Sequence, residues 1–193
     1  MRRLSTALAA FALAGTGLTA ATGPVAAHQG SDKPAACQAV DWGSRPKARA
    51  EADNKPLTDI RVGRHDCFDR MVFDVHTPGD HPIGYRVQYV DKLYQDGSGS
   101  MIPVGPGAVL EIRVAAPSFD LEAGGPRYPG HAGKLLPGVD LGGFRTFREA
   151  RFGGSFEGDT QVGLGVRARL PFRVFQLGNH LVVDVAHSWR GLR

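Results

Sequence analysis

Apolar and polar residues alternate with a period of two along most of the chain, a pattern that predicts β-strands. "LTDIRVGRH" sets Ile60 and Val62 against Arg61, and "FDRMVFDV" puts Met71, Phe73 and Val75 opposite Arg70 and Asp74. "GYRVQYV" repeats the rhythm with Tyr85, Val87 and Tyr89. "GAVLEIRVAA" sets Leu110, Ile112 and Val114 against Val109, Glu111 and Arg113. Later, "TQVGLGVRA" offers Val162, Leu164 and Val166, and "HLVVDVA" offers Leu181, Val183 and Val185. Gly178-Asn179, between "PFRVFQL" and "HLVVDV", predicts a hairpin turn. "FRTFREARF" fits either a turn of helix or an edge strand, and no other window carries an amphipathic helix. "DRMVFDV" and "NHLVVDV" resemble each other, each with an apolar pair before Asp74 or Asp184, as in an internal pseudo-repeat. Many short strands, with 26 glycines and 13 prolines, predict an all-β fold, an antiparallel β-sandwich.

The remaining segments break this rhythm. Residues 1–27 read as a signal peptide: Arg2 and Arg3 precede a short apolar run, and Val25 and Ala27 are the small residues before a cut at His28. Residues 28–56 form a polar N-terminal arm, in which "HQGSDKPAA" and "KARAEADNKP" read as solvated and mobile and Trp42 as the packed exception. The domain proper spans residues 57–189. Within it, "QDGSGSM" is a turn cluster, and residues 117–143 make a long Gly/Pro loop, either functional or mobile.

Charge and cysteine content narrow the function classes. Cleavage after Ala27 leaves 166 of 193 residues, with 21 basic against 19 acidic side chains. A balance this even gives no reason to expect nucleic acid as partner. No second apolar run of spanning length follows, so no membrane anchor is expected after cleavage, and the product is expected in the extracytoplasmic envelope as a monomer. Two exported thiols, Cys37 and Cys67, most simply form one disulfide, closing a loop worth roughly 3–4 kcal/mol. A free or reactive thiol is the alternative, because His65 and Asp66 adjoin Cys67.

Candidate chemistry is sparse. His65, Asp66 and Cys67 are sequence neighbours, and strand neighbours point to opposite faces, so they do not make a nucleophilic site. "GLGVRA" matches a dinucleotide fingerprint, but it lies inside an alternating strand and its glycines read as room for close packing from the facing sheet. His76, Asp80 and His81 lack a metal-site spacing, and Asp96 is the only carboxylate of "QDGSGS", so neither zinc nor calcium is expected. No GxSxG elbow occurs, and no catalytic residue or cofactor is expected. Arginines carry the strongest signal. Arg167 and Arg169, two apart on a strand, are expected to share a face with Arg151 and Phe152 and form a guanidinium-and-aromatic ligand surface. The plainer alternative is a solvated face with its phenylalanines in the core. Arg70 is expected to pair with a carboxylate such as Asp69, Asp74 or Glu157.

The blocks "LTDIRVGRHDCFDRMVFDV", "FRTFREARFGGSFEGDTQVGLGVRARLPFRVF" and "HLVVDVAH" resemble the AMIN-like domain of secreted proteins and lipoproteins from high-GC Gram-positive bacteria. The resemblance implies a compact β-sandwich that binds or localises in the cell envelope without catalysis. Peptidoglycan or a wall-associated protein is the partner it implies. The "C…WGS" arm also resembles the family's, which implies that Cys37 pairs with Cys67. A secreted cell-wall hydrolase and a small-ligand carrier are the alternatives. No second domain is expected, although a localisation domain is usually attached to what it localises, and no lipidated cysteine is expected after the signal, where many relatives carry one.

Overall fold

The computed structural model describes residue 37 and residues 41–50, 55–76, 81–120 and 122–189. The expected signal peptide lies outside these residues, as do most of residues 28–40 and the candidate ligand Asp80. Among the described residues there are eleven strands and no helix. One sheet holds, in spatial order, β1 (Lys47–Arg49), β4 (Tyr85–Val90), β7 (Ala108–Val114), β9 (Asp159–Val166) and β8 (Phe147–Phe156). The other holds β10 (Phe172–Leu177), β11 (His180–Ala186), β3 (Phe68–Val75) and β2 (Leu57–Arg64). Every pairing is antiparallel. A hairpin of β5 (Leu93–Tyr94) and β6 (Met101–Ile102) completes the set.

Alternation decides which face is buried. Met71, Phe73 and Val75 of β3 and Leu181, Val183 and Val185 of β11 meet Leu110, Ile112 and Val114 of β7 and Val162, Leu164 and Val166 of β9 in a single core. The antiparallel sandwich read from the pattern is the fold observed. "FRTFREARF" resolves into β8, the edge strand of its sheet. Gly178 and Asn179 form the two-residue turn between β10 and β11, with Gly178 at φ 56°.

Two segments without regular pattern close the open sides of the sandwich. The arm is bonded by Cys37–Cys67, seats Trp42 against Phe68, and gives the Gly43 carbonyl to the Phe172 amide at the edge of β10. It then becomes β1 on the edge of β4, so the reading of "KARAEADNKP" as mobile is corrected for Lys47, Ala48 and Arg49, while Ala48 and Arg49 stay exposed as expected. At the opposite edge, the long loop runs beside β8. Gly133 and Leu136 donate backbone hydrogen bonds to Phe152 and Ala150, while Tyr128, Leu136, Val139 and Leu141 pack into the core.

The glycines of "GLGVRA" also find a use different from the one expected. Gly163 and Gly165 lie on the outer face of β9, away from the facing sheet; the β5–β6 hairpin sits on Gly163, and the chain leaving it toward β7 passes over Gly165. A Cβ at Gly163 would lie 2.4 Å from Leu93, and one at Gly165 2.3 Å from the Gly105 carbonyl. Leu93, Ile102 and Val109 form a small second core beneath this hairpin.

Candidate ligand-binding site

The outer face of the four-stranded sheet carries an unusual centre. Register places Arg173 of β10 opposite Asp184 of β11, and Asp184 opposite Arg70 of β3. Asp184 is 0% exposed. It accepts from Arg70 Nε at 2.7 Å, from Arg70 Nη2 at 2.9 Å and from Arg173 Nε at 2.8 Å. The bond to Asp184 is the main cause of a raised Arg70 pKa, acting against its own burial. A carboxylate without exposed surface needs such partners, because an unpaired charge there would be expensive.

Aromatic rings frame both guanidiniums. Arg173 lies 4.4 Å from the ring centre of Trp42, 4.8 Å from Phe175 and 5.4 Å from Phe68. Arg70 lies 5.2 Å from Phe68 and 5.5 Å from Phe175. The Arg173 side chain remains 39% exposed.

A second charged centre mirrors the first. Asp74 of β3 lies opposite His180 of β11, as Asp184 lies opposite Arg70. Arg61 donates to Asp74 from Nε and Nη2, one edge of its guanidinium, at 2.6 and 2.7 Å, and His180 Nδ1 approaches it to 2.6 Å. Each of the two similar segments thus supplies an aspartate to a basic side chain of the other, Asp184 to Arg70 and Asp74 to His180. This local two-fold is what the likeness of "DRMVFDV" and "NHLVVDV" amounts to in space.

The structure scatters the site residues expected from sequence. Arg70 pairs with none of Asp69, Asp74 or Glu157. Asp69 points to the opposite face of β3, where it accepts from the Thr146 and Phe147 amides at 2.6 and 3.2 Å and meets His187 Nε2 at 3.1 Å. Asp74 shares Arg70's face but is taken by Arg61, and Glu157 occupies the exposed β8–β9 turn at φ 50°. Arg167 and Arg169 follow the end of β9 and lie in the connection to β10, not on a strand. Arg167 donates to the His187 carbonyl. Arg169 reaches Ser44 at 3.4 Å, lies 5.3 Å from the Tyr89 ring centre, and its carbonyl accepts from Trp189. Arg151 is bound to Glu149 at 2.6 Å and to the Gly133 carbonyl at 2.9 Å. Its strand neighbour Phe152 points the other way and is 3% exposed in the core. Strand β8 therefore separates its arginines from the core phenylalanines Phe147 and Phe152.

Sequence reasoning missed Asp184 and Arg173 as a pair. One signal was available: an aspartate within "LVVDVA" must be buried if its neighbours are, and so calls for a cation on an adjacent strand.

An AMIN-like domain model matches residues 55–187, well over half of the chain. The chain belongs to the AMIN-like family. That span includes β2 to β11 and both aspartate centres, while β1 and Trp42 lie before it. Comparison with curated proteins and with solved structures gives no match.

Proposed function

We propose that this AMIN-like domain is a non-enzymatic, extracytoplasmic binding module whose partner is peptidoglycan or a protein assembled on it. The outer face of the four-stranded sheet, around Trp42, Arg70, Arg173 and Phe175, is the contact surface in this reading. Family membership supports an envelope-binding role, and the disulfide supports an oxidising compartment.

The observation that carries the choice of surface is the half-exposed Arg173, held between Asp184 and the Trp42 ring. A guanidinium fixed in this way loses little freedom on binding and has donors left for a carboxylate or a sugar hydroxyl. Aromatic faces beside it suit the apolar face of a sugar ring. Binding through this surface would need no movement of the sheet.

Co-sedimentation of the oxidised protein with protein-free wall sacculi, at low and high salt, tests the proposal. Pelleting that persists in high salt and disappears in Arg173→Ala, with the melt lowered by no more than about 4 °C, is the expected result. An Arg167→Ala/Arg169→Ala variant should pellet like the parent, because neither side chain belongs to this surface. A protein that stays in the supernatant at both salts rules out the wall polymer as its partner. Loss of pelleting in high salt reduces the interaction to charge attraction.

A further inference from the structure

One end of the sandwich collects arginines. β2 ends there at Arg64, β8 begins at Phe147, β9 ends at Val166 and β11 ends at Ala186. The buried Asp69 joins the two sheets at this end by accepting from the Thr146 amide, and Arg167 joins them by donating to the His187 carbonyl. In residues 64–67, 140–148 and 167–169, five arginines stand against two aspartates, Asp66 and Asp140. Arg64, Arg145, Arg148, Arg167 and Arg169 are all exposed. Arg148 donates to the Phe144, Phe147 and Arg145 carbonyls at 3.0, 3.2 and 3.1 Å, and Arg145 donates to the Asp66 carbonyl at 3.3 Å. Arg64 lies over Gly143, where a Cβ would come within 2.9 Å of its Nη1. Carbonyl oxygens fix guanidiniums in place and leave their charge uncancelled.

The same end carries an exposed ring. Trp189 follows β11, is 42% exposed, and donates its indole N–H to the Arg169 carbonyl at 2.9 Å. Its one polar atom is therefore satisfied, and the surface it leaves to solvent is hydrocarbon. At the opposite end the described residues show no such excess of cations. There Asp120 pairs with Arg127 and Glu122 with Lys55, and Glu157 adds a negative charge at the exposed β8–β9 turn. A negatively charged surface therefore attracts the first end more than the second.

We propose that this end rests on a surface of anionic phospholipid head groups, with the arginines supplying the attraction and the Trp189 ring entering the interfacial layer. Charge held near a lipid surface acts over a Debye length and needs no pairing with single phosphates. Arg148 suits that role, because its bonds to three carbonyls leave it few donors for gripping one phosphate. Tryptophan is enriched at the membrane–water interface, where an amphipathic ring is buried beside polar groups. A soluble phosphate polymer would engage the arginines alone and give the ring nothing to enter. The Arg173 surface lies on the outer face of the four-stranded sheet, and the inference does not rest on its binding the wall.

Co-flotation with vesicles tests the inference, using the oxidised chain beginning at His28, since the apolar run within residues 1–27 would partition by itself. Vesicles of phosphatidylglycerol and of phosphatidylcholine are compared at low and high salt. Flotation with phosphatidylglycerol alone, weakened in high salt, is expected, with a blue-shifted emission from Trp189 in a Trp42→Phe background. Arg64→Gln and Arg145→Gln should each weaken partitioning about fivefold, the effect of one cation near a charged bilayer. Arg173→Ala should float like the parent and Arg64→Gln should pellet with sacculi like the parent, so either reading can fail without the other. Absence of flotation with phosphatidylglycerol at low salt overturns the inference. Flotation without a blue shift, or undiminished in the double variant Arg64→Gln/Arg145→Gln, overturns it as well. Lipid-free polyglycerol phosphate that displaces the vesicles at equal phosphate concentration would make a soluble polymer the partner and overturn it too.

Discussion

Asp184 is shared by two arginines, so removing it differs from removing either one. Arg173→Ala leaves the carboxylate bound by Nε and Nη2 of Arg70, and the cost should be about 1 kcal/mol or less, as for a partly exposed pair. Asp184→Asn strands two guanidiniums against a neutral amide and should cost about 3 kcal/mol, read from urea midpoints. Equal losses in the two variants would contradict the shared geometry. Acid stability follows from other carboxylates. Burial raises the Asp74 carboxyl, but the bond and charge of Arg61, with His180, outweigh it and hold it low. Burial likewise raises Glu111, and hydrogen bonds from Gln88, Gln161 and Arg113 reverse it. Groups whose folded pKa is depressed contribute stability above their unfolded values, about 3.9 and 4.3, and lose it as pH falls through the folded ones. The urea midpoint should therefore hold from neutrality to about pH 5 and fall below about pH 4. Asp74→Asn should flatten that fall, and an unchanged acid limb in this variant would remove Asp74 from the account. Asp159 has the opposite sign: its raised carboxyl favours the folded state most at low pH, and the benefit is lost as pH rises. Asp159→Asn should accordingly melt no lower than the parent at pH 7.

Strands that span several residues were legible because alternation needs length to be visible. β2, β3, β4, β7, β9 and β11 each span six to eight residues and fall where the pattern placed them. β5 and β6 have two residues each and β1 has three, too few for a period to register. What a face rests on is also invisible in a single strand's pattern. Gly163 and Gly165 announced close packing, yet only the folded chain reveals that the hairpin and the chain leaving it, not the opposite sheet, make the approach. The same limit hid the arginine surface: spacing put Arg167 and Arg169 on β9, but the strand stops at Val166. A test at this scale compares the two glycines. Gly165→Ala would drive its Cβ into a backbone carbonyl, whereas Gly163→Ala meets the movable ends of Leu93 and Val104. Overpacking costs about 1–3 kcal/mol, and Gly165→Ala should lie at the upper end. Hydrogen exchange at Leu93 and Ile102 should accelerate in that variant, and protection equal to the parent's would show that the hairpin does not rest on this contact.

A two-sheet sandwich exposes core and unpaired strand edges along its two open sides, and this molecule covers both with irregular chain. The long loop is held to β8 by backbone bonds and by its own apolar residues. The arm at the other side has fewer core residues and is held at its start by Cys37–Cys67, thirty residues apart in sequence. Its central contact is the Trp42 ring between Phe68 and Arg173, so one bond secures both the covering of the β10 edge and one wall of the proposed contact surface. Reducing the disulfide should therefore do two things together. Stability should fall by roughly 3–4 kcal/mol, the loop-entropy value for this separation. Trp42 should also become more hydrated, with a red-shifted emission under conditions where the core stays folded. The second signal separates arm release from global unfolding, since the sheets carry their own core and need not open. A Trp42→Phe variant should retain the stability loss and lose most of the spectral change, which assigns the shift to this ring and not to Trp189. Wall binding, if it uses Trp42, should weaken on reduction by a factor comparable to that in Arg173→Ala. A reduced protein that keeps the parent's emission and midpoint would place the arm's attachment in β1 and the Gly43–Phe172 bond instead.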